Sequence, residues 1–73
     1  PSTKIDFTLP QTTDVTLRVY NVLGQQVKTL VNERMSAGSH SARFDATGLS
    51  SGMYFYRLQA GDYTAQKQMM LIK

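Results

Sequence analysis

The stretch Leu49-Ser-Ser-Gly52-Met-Tyr54-Phe-Tyr56-Arg57-Leu58, the pair Gly61-Asp62, and the run Lys67-Gln-Met69-Met-Leu71-Ile-Lys73 decide the fold class. Side chains alternate across a strand, so Tyr54, Tyr56 and Leu58 share one face and Met53, Phe55 and Arg57 the other. Gly61-Asp62 sits between two strand-like runs and reads as a two-residue hairpin turn. The last strand is expected from Tyr63 to about Ile72. Ala65, Met69 and Leu71 lie on one of its faces, and Met70 and Ile72 on the other.

The same period runs through the first half. Ile5, Phe7 and Leu9 alternate with Lys4, Asp6 and Thr8, and Pro10 ends that strand. Gln11 to Asp14 reads as a turn. Val15, Leu17 and Val19 alternate with Thr16, Arg18 and Tyr20. Asn21-Val-Leu-Gly24 is a tight connection in which Gly24 is free to take positive φ. Gln25 to Val31 forms the third strand, and the spacing of Val27, Leu30 and Val31 predicts a bulge or a frayed end. Asn32 to Ser36 reads as a polar loop, and Ala37-Gly38 turns the chain. His40, Ala42 and Phe44 then alternate with Ser39, Ser41 and Arg43, and Asp45 to Gly52 is a loop plugged by Leu49. Short strands separated by regular turns predict an all-β, immunoglobulin-like antiparallel sandwich of about six to seven strands. Leu49 and Tyr54 carry the spacing of a tyrosine corner, in which a tyrosine hydroxyl pins the preceding loop; a buried core tyrosine is the plainer alternative.

Seventy-three residues, 1–73, make a single domain. A chain of that length buries only about 60% of its unfolded surface, so the core is thin. With no cysteine, neither a disulfide nor a thiolate metal site is available. The net charge is +3, but Arg18, Arg34, Arg43 and Arg57 are scattered, which reads as solvated strand faces rather than a nucleic-acid footprint. No run approaches the ~20 apolar residues of a membrane helix. No signal peptide is visible, and the chain opens on Pro1 with no initiator methionine, which predicts a processed or excised piece; an export signal, if the domain works outside the cytoplasm, is expected on a preceding part.

Catalytic chemistry finds little support. His40 is the one histidine, and Ser39 and Ser41 flank it on a strand and so point to the opposite face. Asp14, Asp45 and Asp62 are expected at turns, bonding nearby amides rather than a cation. Gly48-Leu-Ser-Ser-Gly52 lacks the lysine of a phosphate loop. Tyr54, Phe55, Tyr56 and Tyr63 could stack sugars or bases, but alternation splits them between faces. No catalytic residue, metal or cofactor is expected. The C-terminal strand has two compatible readings: a core strand whose two faces are both covered, or an apolar strand that a partner grips by edge addition.

The chain resembles a known family along its whole length. The residues are Lys4-Ile5-x-Phe7-x-Leu9-Pro10, then Val15-x-Leu17-x-Val19-Tyr20-Asn21-x-Leu23-Gly24-Gln25-x-Val27, then Gly38-x-His40-x-x-x-Phe44-Asp45. Leu49-x-x-Gly52-x-Tyr54-x-Tyr56-Arg57-Leu58 and Met69-x-Leu71-x-Lys73 complete them. Together they resemble the type A C-terminal sorting domain of type IX (Por) secretion substrates. Two departures stand out. The family's usual Asn-Pro-x-Asn-Pro opening is missing before Pro1, and Gln68 rather than a basic residue precedes Met69, with Lys67 one place earlier.

The resemblance implies a non-catalytic sorting signal on a cargo domain attached in cis at its N-terminal side. It implies transit through the periplasm, then delivery across the outer membrane to the cell surface or the medium. The implied partners are the secretion machinery: an outer-membrane translocon, a shuttle protein and a sortase-like protease. By the same resemblance Lys67, Met69, Leu71 and Lys73 are the recognised residues, with a core role as the alternative for Met69 and Leu71. Gly24, Gly38, Asp45, Leu49, Gly52, Tyr54 and Tyr56 define the fold. Two rivals remain at this stage: a structural immunoglobulin-like accessory module of the flagellar hook-capping type, and a carbohydrate-binding module of a secreted glycosidase.

Overall fold

The structure is a computed structural model that describes residues 2–72. Six strands follow one another: β1 (Ser2–Leu9), β2 (Thr13–Asn21), β3 (Gln26–Met35), β4 (Gly38–Asp45), β5 (Gly52–Ala60) and β6 (Tyr63–Leu71). They form two antiparallel sheets, one of two strands (β1-β4) and one of four (β3-β2-β5-β6). The expected sandwich is therefore present, with six strands split unevenly.

The alternation sets which face is dry. Ile5, Phe7 and Leu9 of β1 meet Ala42 and Phe44 of β4 on one inner surface. Val15, Leu17 and Val19 of β2, with Tyr54 and Leu58 of β5, form the other. Leu17 and Val19 are wholly buried. Burial of one such side chain contributes about 1.5–3 kcal/mol, so these few residues carry most of the stability.

The third strand departs from the sequence expectation. It continues through Asn32, Glu33 and Arg34 to Met35, where a polar loop was expected. These residues pair with Thr13 to Thr16 of β2, which likewise puts Thr13 and Asp14 in a strand rather than a turn. Their side chains face water, but the ladder satisfies their backbone, and backbone pairing does not require apolar side chains. The Asp14 carboxylate accepts from Arg34 at 3.5 Å. The expected irregularity is a double bulge: Val31 and Thr29 pair with Leu17 and Arg18, leaving Leu30 between them, and Val27 is passed over in the same way. Both extra residues turn inward and pack against the core.

Turn chemistry follows the residues. Between β2 and β3, Asn21 Oδ1 accepts from the amides of Leu23 and Gln25, each at 3.0 Å, and Gly24 takes φ +80°. Gly61 opens a two-residue hairpin at φ +59°, the arrangement of a type II′ turn. A Cβ on Gly61 would also lie 2.9 Å from Thr13 Oγ1. Gly38 and Gly52 open β4 and β5.

The loop from β4 to β5 is tied at both ends. Asp45 Oδ1 accepts from the Thr47 amide at 3.0 Å and the Thr47 hydroxyl at 2.6 Å. Ala46 is buried and Leu49 is half-buried against the core. Tyr54 donates its hydroxyl to the Ser50 carbonyl at 2.8 Å, which is the tyrosine-corner contact anticipated from the spacing.

Leu58→Ala should lower the unfolding free energy by about 2–5 kcal/mol. Urea melts that moved by under about 1 kcal/mol would remove Leu58 from the core. Tyr54→Phe keeps the ring and loses only the bond to Ser50, for which about 0.5–1.5 kcal/mol is expected in the same melts.

The Thr47 hydroxyl, then its amide, hold the Asp45 carboxyl below its ordinary value, with Lys28 adding a smaller pull. The sign is that of a carboxylate favoured in the folded state. Its contribution is present above the ordinary carboxylate value and is lost as pH falls through the lowered one. Thr47→Val should raise the Asp45 titration toward the ordinary range. An NMR titration of the side-chain carboxyl carbon that stayed where it was would contradict the assignment.

Candidate functional site: the edge strand β6 and its seam

The topology makes β6 an edge. It pairs with β5 from Gly52↔Leu71 to Ala60↔Tyr63 and has no other strand neighbour among the described residues. Across from it lies β1, an edge of the smaller sheet. The two sheets come together where β4 lies by β3 but stand apart between β1 and β6.

That gap is a groove of about 500 Å³. Ile5, Phe44, Tyr56, Met69 and Leu71 line its apolar part. Farther along, a narrower continuation of about 160 Å³ is lined by Phe7, Leu58, Ala65 and Lys67. Met69 and Leu71 are half-buried and pack against the core, so β6 is seated on one face only. On its other face Met70 is 58% exposed, and Ile72 just beyond is 79% exposed. Of the two readings of this strand, the one that covers both faces does not hold.

The sequence-selected residues therefore divide. Lys67, Met69 and Leu71 come together along the seam, opposite Tyr56, Tyr54 and Gly52 of β5 respectively. Lys73 lies outside the described residues. Gly24, Gly38, Asp45, Leu49, Gly52 and Tyr54 serve turns, loop ties and strand starts, as described above. Tyr56 does both, packing on the core and lining the groove.

His40 and Ser41 are occupied separately. His40 stacks on Phe7 with ring centroids 5.7 Å apart, and its Nε2 lies 2.7 Å from the Ser36 carbonyl. Ser41 faces the other way and donates to Asp6 at 2.9 Å. This arrangement offers no nucleophile beside a base. What the seam can do chemically is bind an extended chain, through an unpaired backbone edge and an apolar trough.

Sequence reasoning overlooked a second region. Val22 and Leu23, at the tip of the β2–β3 turn, are 65% and 78% exposed. Their signal was legible: two branched apolar residues occupy a turn where polar residues and glycine are usual.

The family described as secretion system C-terminal sorting domain matches residues 2–73. No curated protein and no solved structure matches the chain. A match over nearly every residue joins an all-β sandwich to an edge strand suited to being gripped. The chain belongs to the secretion system C-terminal sorting domains, the signals that direct proteins into type IX secretion.

Proposed function

We propose that the secretion machinery reads this sorting domain through β6 and the seam beside it. The supporting observation is that β6 has one hydrogen-bonded neighbour, leaving its far edge and outer face open. An extended partner segment can add to such an edge, with main-chain bonds supplying affinity and alternate side chains supplying specificity. In this reading Met69 and Leu71 shape the trough and are touched from its open side. Lys67 sets the charge beside it, and Lys73, outside the described residues, is assigned to the same signal by the resemblance. The partners are the outer-membrane translocon, the shuttle protein and the sortase-like protease, and the cargo precedes residues 1–73 in one chain. The cargo crosses the periplasm before it reaches the surface or the medium. The family match favours this reading over a flagellar accessory module or a carbohydrate-binding module.

The test is a reporter carrying an export signal at its N-terminus and residues 1–73 at its C-terminus, expressed in a host with type IX secretion. Lys73→Ala should leave the domain folded, since it removes a single charge and none of the buried core. The reporter should nevertheless stay in the periplasm, as should one lacking Ile72 and Lys73. Surface delivery of both variants at the unaltered level would place the signal elsewhere and return β6 to a purely structural role.

A further inference from the structure

The outer face of the four-stranded sheet holds an arrangement that the core does not require. Register places Tyr20, Phe55 and Gln68 in one row across β2, β5 and β6. Arg18, Arg57 and Gln66 form the next row, and Met53 faces Met70 beyond the first. All of them point away from the side that buries Leu17, Val19, Tyr54 and Leu58.

Two features of this face are unfavourable for an isolated domain. Arg18 and Arg57 are directly opposite each other, and like charges in that position destabilise a sheet. Arg57 rests over the Tyr20 ring at 5.5 Å, which orients its guanidinium without neutralising it. The ion pair among the described residues, Arg34 with Asp14, lies toward the other end of β2. The apolar exposure is equally one-sided. Val22, Leu23, Met70 and Ile72 sit at the end of the sheet where β2 stops and β5 begins, and Tyr63 alone at the opposite end. One strand separates β2 from β6, a span of about 10 Å.

The apolar tip is also held in place. Besides the two bonds that Asn21 Oδ1 accepts, the turn is closed by Gly24 N to Asn21 O and by Asn21 N to Gln25 O, each at 3.0 Å. Asn21 Nδ2 donates to Gln25 Oε1 at 2.8 Å. Leu23 is therefore presented to water in one ordered conformation. Behind it is a hollow of about 260 Å³ lined by Tyr20, Val22, Phe55, Arg57 and Gln66.

We propose that this face is a second docking surface of the sorting signal, which takes a protein partner presenting an apolar side chain beside a carboxylate. It rests on the sorting reading and extends the recognised surface beyond β6. The guanidinium pair supplies the charge that a carboxylate complements, and Arg suits its two-oxygen geometry. Val22 lines the hollow and exposed Leu23 follows it in the same turn, and these supply the apolar contacts. The composition favours protein over lipid: aromatic residues, methionine and arginine are enriched in protein interfaces where lysine and acids are depleted. A face that lies on an anionic membrane would carry lysine as well. A rigid contact also loses less entropy on binding.

The test uses the same reporter fusion in three steps. The unaltered fusion must reach the surface, and its retention in the periplasm refutes the sorting reading and this inference with it; Lys73→Ala tests the β6 reading separately. Leu23→Ser and Arg57→Glu, on separate elements and both at exposed positions, should then each cut surface delivery at least tenfold. Both should melt within about 2 °C of the unaltered domain. Arg57→Lys should restore part of the delivery. Delivery by folded Leu23→Ser and folded Arg57→Glu at the unaltered level overturns the second surface while leaving the β6 reading intact. In the third step the purified domain is floated with phosphatidylglycerol vesicles. No co-flotation is expected, and co-flotation that Leu23→Ser abolishes would overturn the protein partner in favour of a lipid surface.

Discussion

No backbone ladder joins the two sheets among the described residues, so the domain depends on one contact: the Val15–Leu17–Val19 stripe of β2 packed over the inner surface of β1 and β4. Every other feature is subordinate to it. The ladders could form in flat ribbons, but a ribbon of two strands is marginal in water unless its apolar face is covered. β1 and β4 form such a ribbon. It is held by Ile5, Phe7, Leu9 and Phe44 lying against the larger sheet, in a core that a chain of this length can build only once.

That economy explains the open side. Two strands cannot cover the inner face of four. The smaller sheet approaches the larger from the β3 side, where β4 and β3 are in contact, and the edge strand left open on the other side is β6. Its inner residues Met69 and Leu71 reach the core while Ala65 and Lys67 trail along a seam that nothing closes. A long exposed edge is usually an aggregation hazard, and natural proteins blunt it with charge. Here Lys67 stands on the strand among the polar residues Thr64, Gln66 and Gln68. The blunting covers the half of β6 near the hairpin and stops before Met69, which leaves the apolar half available. Sorting and solubility thus divide the strand between them.

Several irregular features follow the same logic as the regular ones. The double bulge in β3 lets Val27, Leu30 and Val31 all reach the core from an edge strand, which strict alternation forbids. The loop from Asp45 to Ser51 stays ordered because its polar groups have local partners, and Tyr54 ties it to the sheet through Ser50. Lys28 reaches from β3 to the Asp45 carbonyl at 2.8 Å, a polar link between the two sheets.

Alternation and turn residues determined the strand succession, the inner and outer faces and the Gly61 hairpin, because these depend on neighbours within a few residues; the Leu49–Tyr54 spacing offered the pinned loop as one of two readings, and the bond from Tyr54 to Ser50 decided it. The family was legible for the same reason: its pattern consists of those local faces and turns. The true length of β3 was not legible, since Asn32 to Arg34 are strand only through pairing with Thr13 to Thr16. The edge position of β6, the seam against β1, and the facing of Arg18 and Arg57 were likewise decided by the tertiary structure. Each is a matter of which strand lies beside which. Alternation says which way a side chain points, but strand order is set by how two unequal sheets cover one small core.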